Sequence, residues 1–223
     1  MGTRRRTFMQ GAVALPAGIA ALMGGAAPAQ AAKPKRDLLA ELNVRPFINA
    51  AGTYTTHSGS LMRPEVMEAI NYASQYFVEV EELHDAVGKR IASLVGSEAA
   101  MVTAGAASAL TLGTAGIVTG TDKAKVNQVP DLTGMKNEVI IQKSHRFPYD
   151  HAIRNTGVKL VEVTSRAELE RAVNEKTAAL FFLNYANSHG EIKDAEFAEI
   201  GKKVKVPTFN DCAADVHPVE NVS

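Results

Sequence analysis

The chain has 223 residues, with 24 Lys and Arg against 24 Asp and Glu, a formal net charge of zero and a single cysteine. That balance leaves no basic surface to track a phosphate backbone, which argues against nucleic-acid binding. A lone Cys212 also excludes any intramolecular disulfide.

Residues 1–32 read as an address. Arg4, Arg5 and Arg6 precede Thr7, Phe8 and Met9; an uncharged Ala- and Gly-rich run follows from Gly11 to Pro28, and Ala29-Gln30-Ala31 supplies small residues at cleavage spacing. The pattern is that of a twin-arginine signal, so the expected destination is the periplasm. Pro16, Gly18, Gly24, Gly25 and Pro28 interrupt the run, which argues against an anchoring helix and against stable membrane insertion once the signal is cleaved. Twin-arginine export carries folded proteins, which suits a cofactor inserted before export. Removing the signal also removes several basic residues, so the remainder is mildly acidic. Its length suffices for one well-buried domain and is short for two.

In chain order, residues 33–97 read as a helical arm and residues 98–223 as an α/β domain. Pro64, in the favoured first position, opens a helix through about Tyr76, and Glu79 to Val95 forms another closed by Gly96. From Glu98 onward, strand-like apolar runs alternate with helical patterns. AAMVTAG leads into a helix through Ile117, and NEVIIQ into a helix near Tyr149 to Asn155. VKLVEV leads into AELERAVNE, TAALFFL into a helix over Ala195 to Lys203, and VKVPTF closes the series. This alternation predicts a mainly parallel sheet with helices on both faces. Gly120 to Asn137 is expected to be a long irregular connection.

Two segments carry candidate chemistry. Thr103-Ala104-Gly105-Ala106-Ala107 follows a predicted strand and opens a helix, where small residues let a phosphate reach free N–H groups and the positive end of the helix dipole. The same turn is also a common packing device. Asp211 ends the last predicted strand, and ligands of open α/β sheets bind outside the carboxyl ends of the strands. Capping of the following turn is the alternative role for Asp211. Cys212 beside it reads as a small packing residue more readily than as a nucleophile. His57, His84, His151, His189 and His217 show no metal-ligand spacing, so no metal site is expected.

Four blocks, INAAGTYTTHSGSLMRPEVMEAI, ASLVGSEAAMVTAGAASAL, LTGMKNEVIIQKSHRFPYDHAIRNTGVKLVEV and FNDCAADVHPVEN, together resemble the selenocysteine-synthase-like family of pyridoxal-phosphate enzymes, in its D-glucosaminate-6-phosphate ammonia-lyase-like branch. The resemblance runs from about Leu38 to Asn221. It implies the aspartate-aminotransferase-like, fold-type I architecture, with a large α/β domain, a smaller C-terminal domain and sites at a homo-oligomer interface. It further implies that Thr103, Gly105 and Ala106 form the cup for the phosphate of pyridoxal 5'-phosphate, and that Asp211 pairs with the pyridinium nitrogen. His145 would cover the pyridine face and relay protons; a polar residue satisfied at a strand end is the other reading of that histidine. Asn49, Thr53 and Arg146 would contact a small-molecule substrate.

The family's Schiff-base lysine lies downstream of the Asp211 block, in a Ser-Gly-Gly-Lys-like segment, and none of Lys136, Lys143, Lys202, Lys203 or Lys205 takes that position. The expectation is an N-terminal part of a family enzyme, a lyase or transferase acting on a small amino acid or amino sugar derivative, which alone holds the cofactor only non-covalently. Two alternatives are a selenium transferase acting on seryl-tRNA, disfavoured by the export signal and the lack of a basic surface, and a non-catalytic binding or oligomerisation module.

Overall fold

A computed structural model describes residues 36–215. The twin-arginine reading of residues 1–32, like His217, lies outside the described residues. The chain divides into two units, Met1–Asn71 and Tyr72–Ser223.

In the first unit, α1 (Leu38–Glu41) is capped by Asp37, whose carboxylate accepts the Ala40 N–H at 3.0 Å. A 3-10 turn follows at Thr55–His57, with the His57 ring edge-on to Phe47 at 5.5 Å. Helix α2 (Pro64–Ala73) starts on its proline as expected and crosses the division in its last turn. None of the described residues of this unit is buried, and Ile48 and Leu61 are almost fully exposed.

The second unit opens with α3 (Val80–Val95), ended by Gly96 in the left-handed region at φ 71°. Two further helices follow, α4 (Ala106–Thr119) and α5 (Lys123–Gln128), before the sheet begins. The remaining elements run β1 (Glu138–Gln142), α6 (His151–Arg154), β2 (Lys159–Val163), α7 (Arg166–Ala172), β3 (Thr177–Leu183), α8 (Asp194–Val204) and β4 (Thr208–Asp211). Ser165 and Glu168 begin α7 as a capping pair: Ser165 Oγ accepts the Glu168 N–H, and Glu168 Oε2 accepts the Thr164 N–H at 2.7 Å.

The strands form a wholly parallel sheet in the order β2-β1-β3-β4. Strand β3 is buried at every position, which is why it reads as a continuous apolar run instead of an alternating one. Side chains of Val139, Ile141, Ala179, Phe181 and Leu183 project to one face and join Leu110 and Val118 of α4 and Ile153 of α6. Ile140, Leu180 and Phe182 project to the other, against Leu169 of α7 and Phe197 and Ile200 of α8. The predicted α/β class is therefore realised, with a core on each face.

Two expectations fail for identifiable reasons. AAMVTAG forms no strand: a strand needs a ladder partner, and Met101 and Val102 stay exposed without one among the described residues. The Ala100 carbonyl instead lies over α3, where a Cβ on Gly88 would come within 2.4 Å of it. Gly120 to Asn137 is not wholly irregular, because Asp122 caps α5 by accepting the Ala124 N–H at 2.9 Å.

Candidate active site

Helix α4 brings the small-residue turn to the sheet. Gly113 faces Phe209 of β4 so closely that a Cβ there would stand 2.8 Å from the ring. Beyond α4 the chain continues through α5 to Pro130, whose carbonyl abuts Gly157 immediately before β2. The C-terminal end of α4 thus lies at the beginnings of the strands, and its N-terminus opens at their carboxyl ends. Seven residues of helix, about 10 Å, separate Ala106 from Gly113, while two residues of strand, about 7 Å, separate Phe209 from Asp211. The first turn of α4 therefore opens roughly level with the end of β4.

That first turn is open and built from small residues. Gly105 precedes it at φ 93°, a conformation that L side chains rarely adopt, and no side chain caps the helix. Thr103 Oγ1 bonds the Gly105 carbonyl at 3.0 Å and shapes the turn from the side. The N–H groups of Ala106, Ala107 and Ser108 precede the first intrahelical bond, which runs from the Ala109 N–H to the Gly105 carbonyl. Gly105, Ala106 and Ala107 are exposed, and a Cβ on Gly105 would meet nothing within 4 Å.

Asp211 is the last residue of β4 and only 8% exposed. It pairs in register with Leu183 and so projects to the α4 face of the sheet. One carboxylate oxygen accepts the Ala213 N–H at 2.9 Å, which orients the group without consuming the other oxygen. An open helix N-terminus and a fixed carboxylate thus share one face at the carboxyl edge. This donor set fits a ligand with a phosphate at one end and a protonated ring nitrogen at the other.

The other predicted residues go elsewhere. His145 is wholly buried on the opposite face, edge-on to Phe182 at 4.5 Å, with Nδ1 accepting the Leu183 N–H at 3.2 Å. No face of its ring is open to a ligand, so the reading as a satisfied polar residue at a strand end describes it and ring stacking does not. Burial, opposed by the Ala186 carbonyl and aided by the nearby charge of Lys193, pushes its pKa from 6.5 down to about 4. Arg146 is engaged by Asp150 and Glu162, and Arg154 shares Asp150. Burial alone would lift the Asp150 carboxyl, but the Arg146 and Arg154 guanidiniums outweigh it and hold the group below its ordinary value. Asn49, in the first unit, spends its side chain locally: Oδ1 accepts the Ala51 N–H and Nδ2 donates to the Gly52 carbonyl. Thr53 is exposed in the same segment. Cys212 has its thiol pushed up, by burial first and then by Asp215 and Asp211, which keeps it protonated and poorly nucleophilic. No metal-binding cluster occurs among the described residues.

Sequence reasoning missed Gln142, Asn184 and Gly190. Asn184 stands directly after β3, where Nδ2 donates to Asp215 and Oδ1 approaches Asn210 beside the end of β4. The signal for Gln142 was a polar residue directly after the apolar run Val139-Ile140-Ile141 of β1, where it is 1% exposed.

No protein-family model matches the chain. Over 186 residues it is 33% identical to D-glucosaminate-6-phosphate ammonia lyase of Salmonella typhimurium (strain 14028s / SGSC 2262), covering 78% of this chain and 50% of that protein. It is 31% identical over 187 residues to 5'-C-glycyluridine monooxygenase-decarboxylase of a Streptomyces species, covering 78% of this chain and 47% of that protein. A solved structure of D-glucosaminate-6-phosphate ammonia-lyase superposes with a TM-score of 0.74 at 32% identity, over 82% of this chain and 52% of that one. The chain spans about half the length of the curated relatives it matches. With the parallel sheet and its two helical layers, these likenesses identify the fold as that of fold-type I pyridoxal-phosphate enzymes, with D-glucosaminate-6-phosphate ammonia lyase as a homologue over about half of its length.

Proposed function

We propose that this chain supplies the cofactor-holding part of a pyridoxal-phosphate-dependent lyase or transferase acting on a small amino acid or amino sugar derivative. The observation that carries this reading is the shared placement of the α4 N-terminus and Asp211 at the carboxyl edge of one sheet face. The N–H groups of Ala106, Ala107 and Ser108 bind the phosphate, with Gly105 giving access and Thr103 shaping the turn. Asp211 faces the ring nitrogen and keeps it protonated; one of its oxygens is already fixed by Ala213, so little rotamer freedom is lost on binding. When bound, pyridoxal phosphate supplies an electron sink for negative charge developing at the substrate carbon beside its amino group. The relative's name supports an amino sugar acid phosphate as the substrate class.

Two further parts of the reading rest on other observations. The twin-arginine pattern of residues 1–32 supports export of the folded protein to the periplasm. Large apolar side chains left exposed in both units, among them Ile48, Leu61 and Phe77, support assembly into a homo-oligomer.

The test is titration of the full chain with pyridoxal 5'-phosphate, followed by absorbance and by equilibrium dialysis, in parallel with pyridoxal lacking the phosphate. Saturable binding at least tenfold tighter for the phosphorylated form, and weakened by Asp211→Ala, is expected. Equal affinity for both forms, or no saturation, refutes the assignment of the α4 turn.

A further inference from the structure

Behind the site lies a buried polar arrangement on the opposite face of the sheet. Gln142 ends β1, and its side chain reaches the backbone of Ile192 at two points, donating from Nε2 to the carbonyl and accepting the N–H at Oε1, both at 2.9 Å. His145, one 3-10 turn later, accepts the Leu183 N–H at Nδ1. These two side chains grip both ends of the segment between β3 and α8, Leu183 where the strand stops and Ile192 just before the helix begins.

The middle of that segment rests on the same pair. A Cβ on Gly190 would stand 2.6 Å from His145 Nε2 and 2.8 Å from Gln142 Nε2, both buried and immobilised, so the backbone lies directly against them. From the outer side, Lys193 Nζ donates to the carbonyls of Asn187, Ser188 and Gly190, the last at 2.7 Å. The segment so held begins with Asn184, which touches Asn210 and Asp215 on either side of Asp211.

We propose that Gln142 and His145 are positioning residues for the cofactor site: by clamping residues 183–192 from the far face of the sheet, they fix the loop beside Asp211 and so set where the ring nitrogen is met. The inference rests on the functional reading above. Neither residue touches the ligand. Both act through main-chain groups that are buried and have no alternative partner in water, so releasing them frees the whole loop at once.

The experiment measures pyridoxal 5'-phosphate affinity and backbone hydrogen exchange on the full chain for Gln142→Leu, His145→Leu, His145→Asn and Gly190→Ala. Leu169→Ala, on α7 in the apolar cluster that also holds Ile192, makes no polar contact with the loop and controls for loss of stability. His145→Asn keeps an acceptor where Nδ1 stands. Gly190→Ala displaces the loop while leaving every buried polar group in place, and so provides a second route if the leucine variants fold poorly. Expected are faster exchange at the Leu183 and Ile192 amides and affinity lowered about tenfold or more in Gln142→Leu, His145→Leu and Gly190→Ala. His145→Asn should stay within about threefold of the parent, and Leu169→Ala within about twofold. Loop amides that remain protected in Gln142→Leu overturn the clamp, and faster exchange with unchanged affinity overturns its role in positioning. A parent chain that does not bind the cofactor overturns the functional reading itself, and the positioning role with it.

Discussion

Acidification should unfold this protein through His145 before any carboxylate contributes. The ring is fully buried, its Nδ1 is committed as an acceptor to the Leu183 N–H, and the Lys193 cation opposes a second positive charge beside it. Protonation would turn that nitrogen into a donor pointing at a donor. With the folded pKa near 4 against 6.5 in the unfolded chain, the unfolded state binds more protons throughout the interval between them. Stability from this group is accordingly complete above the unfolded value and is lost as pH falls towards the folded one. The full interval corresponds to about 3 kcal/mol, of which about 2 kcal/mol has gone by about pH 5.

The assay is urea unfolding of the parent and of His145→Asn at about pH 7 and about pH 5. The asparagine retains an acceptor and cannot titrate. Asp150, Glu168 and Glu170 are all held below their ordinary values by their partners, so their losses begin only at lower pH and cancel between the two proteins. The parent should lose about 2 kcal/mol more than His145→Asn across that window. Parallel losses in the two proteins would refute the argument, because they would mean that the ring charges without breaking its contact to Leu183.

Gly105→Val places a β-branched residue at φ 93°, and should cost about 1–3 kcal/mol of local strain and lower affinity for the phosphorylated cofactor at least tenfold, read by thermal melting and by titration. Asp211→Asn should leave the melting temperature within a few degrees, because asparagine can still accept the Ala213 N–H, yet weaken binding of pyridoxal phosphate; unchanged affinity would remove the carboxylate from the site. Phe181→Ala, in the centre of β3 between Phe147 and Phe209, should cost about 3–5 kcal/mol in urea unfolding. Asp150→Ala removes the 4%-exposed carboxylate shared by two arginines and should cost about 1–3 kcal/mol, limited because Arg146 and Arg154 are exposed enough to be rehydrated.

Legibility from sequence followed the range of the interactions. Strands β1 and β3 were visible because both faces of each are buried, which forces runs such as VII and AALFFL that no amphipathic helix would carry. The end of α3 was visible because Gly96 takes a left-handed conformation there, and the α4 turn because glycine suits φ 93° at position 105. The position of Asp211 at a strand end was equally local. What stayed hidden depends on partners far along the chain. Gln142 meets Ile192 fifty residues on, and His145 meets Leu183 after a 3-10 turn that changes which way a side chain projects. The segment AAMVTAG has strand propensity and no ladder partner, and propensity alone does not make a strand. Arg146 looked available for substrate because its carboxylates, Asp150 and Glu162, lie on different elements that only the fold brings together.

In our reading the sheet divides its two faces between holding a ligand and holding the holder. In β3 and β4, Phe181, Leu183, Phe209 and Asp211 project towards α4, while Leu180, Phe182, Thr208 and Asn210 project towards α7 and α8. Side-chain direction in a strand alternates with period two, so Asp211 projects to the α4 face, and Gln142 towards the loop on the other, only in this register. A slip of one residue in β4 would present Asn210 to the α4 face and turn Asp211 into the face occupied by Phe182 and Phe197, leaving a carboxylate buried among apolar groups. The same apolar residues that make the core therefore also select the register that assembles the site. Gly113 reinforces the choice: the Phe209 ring fits against α4 only because no Cβ stands between them, and that contact fixes β4 against the helix whose first turn binds the phosphate in our reading.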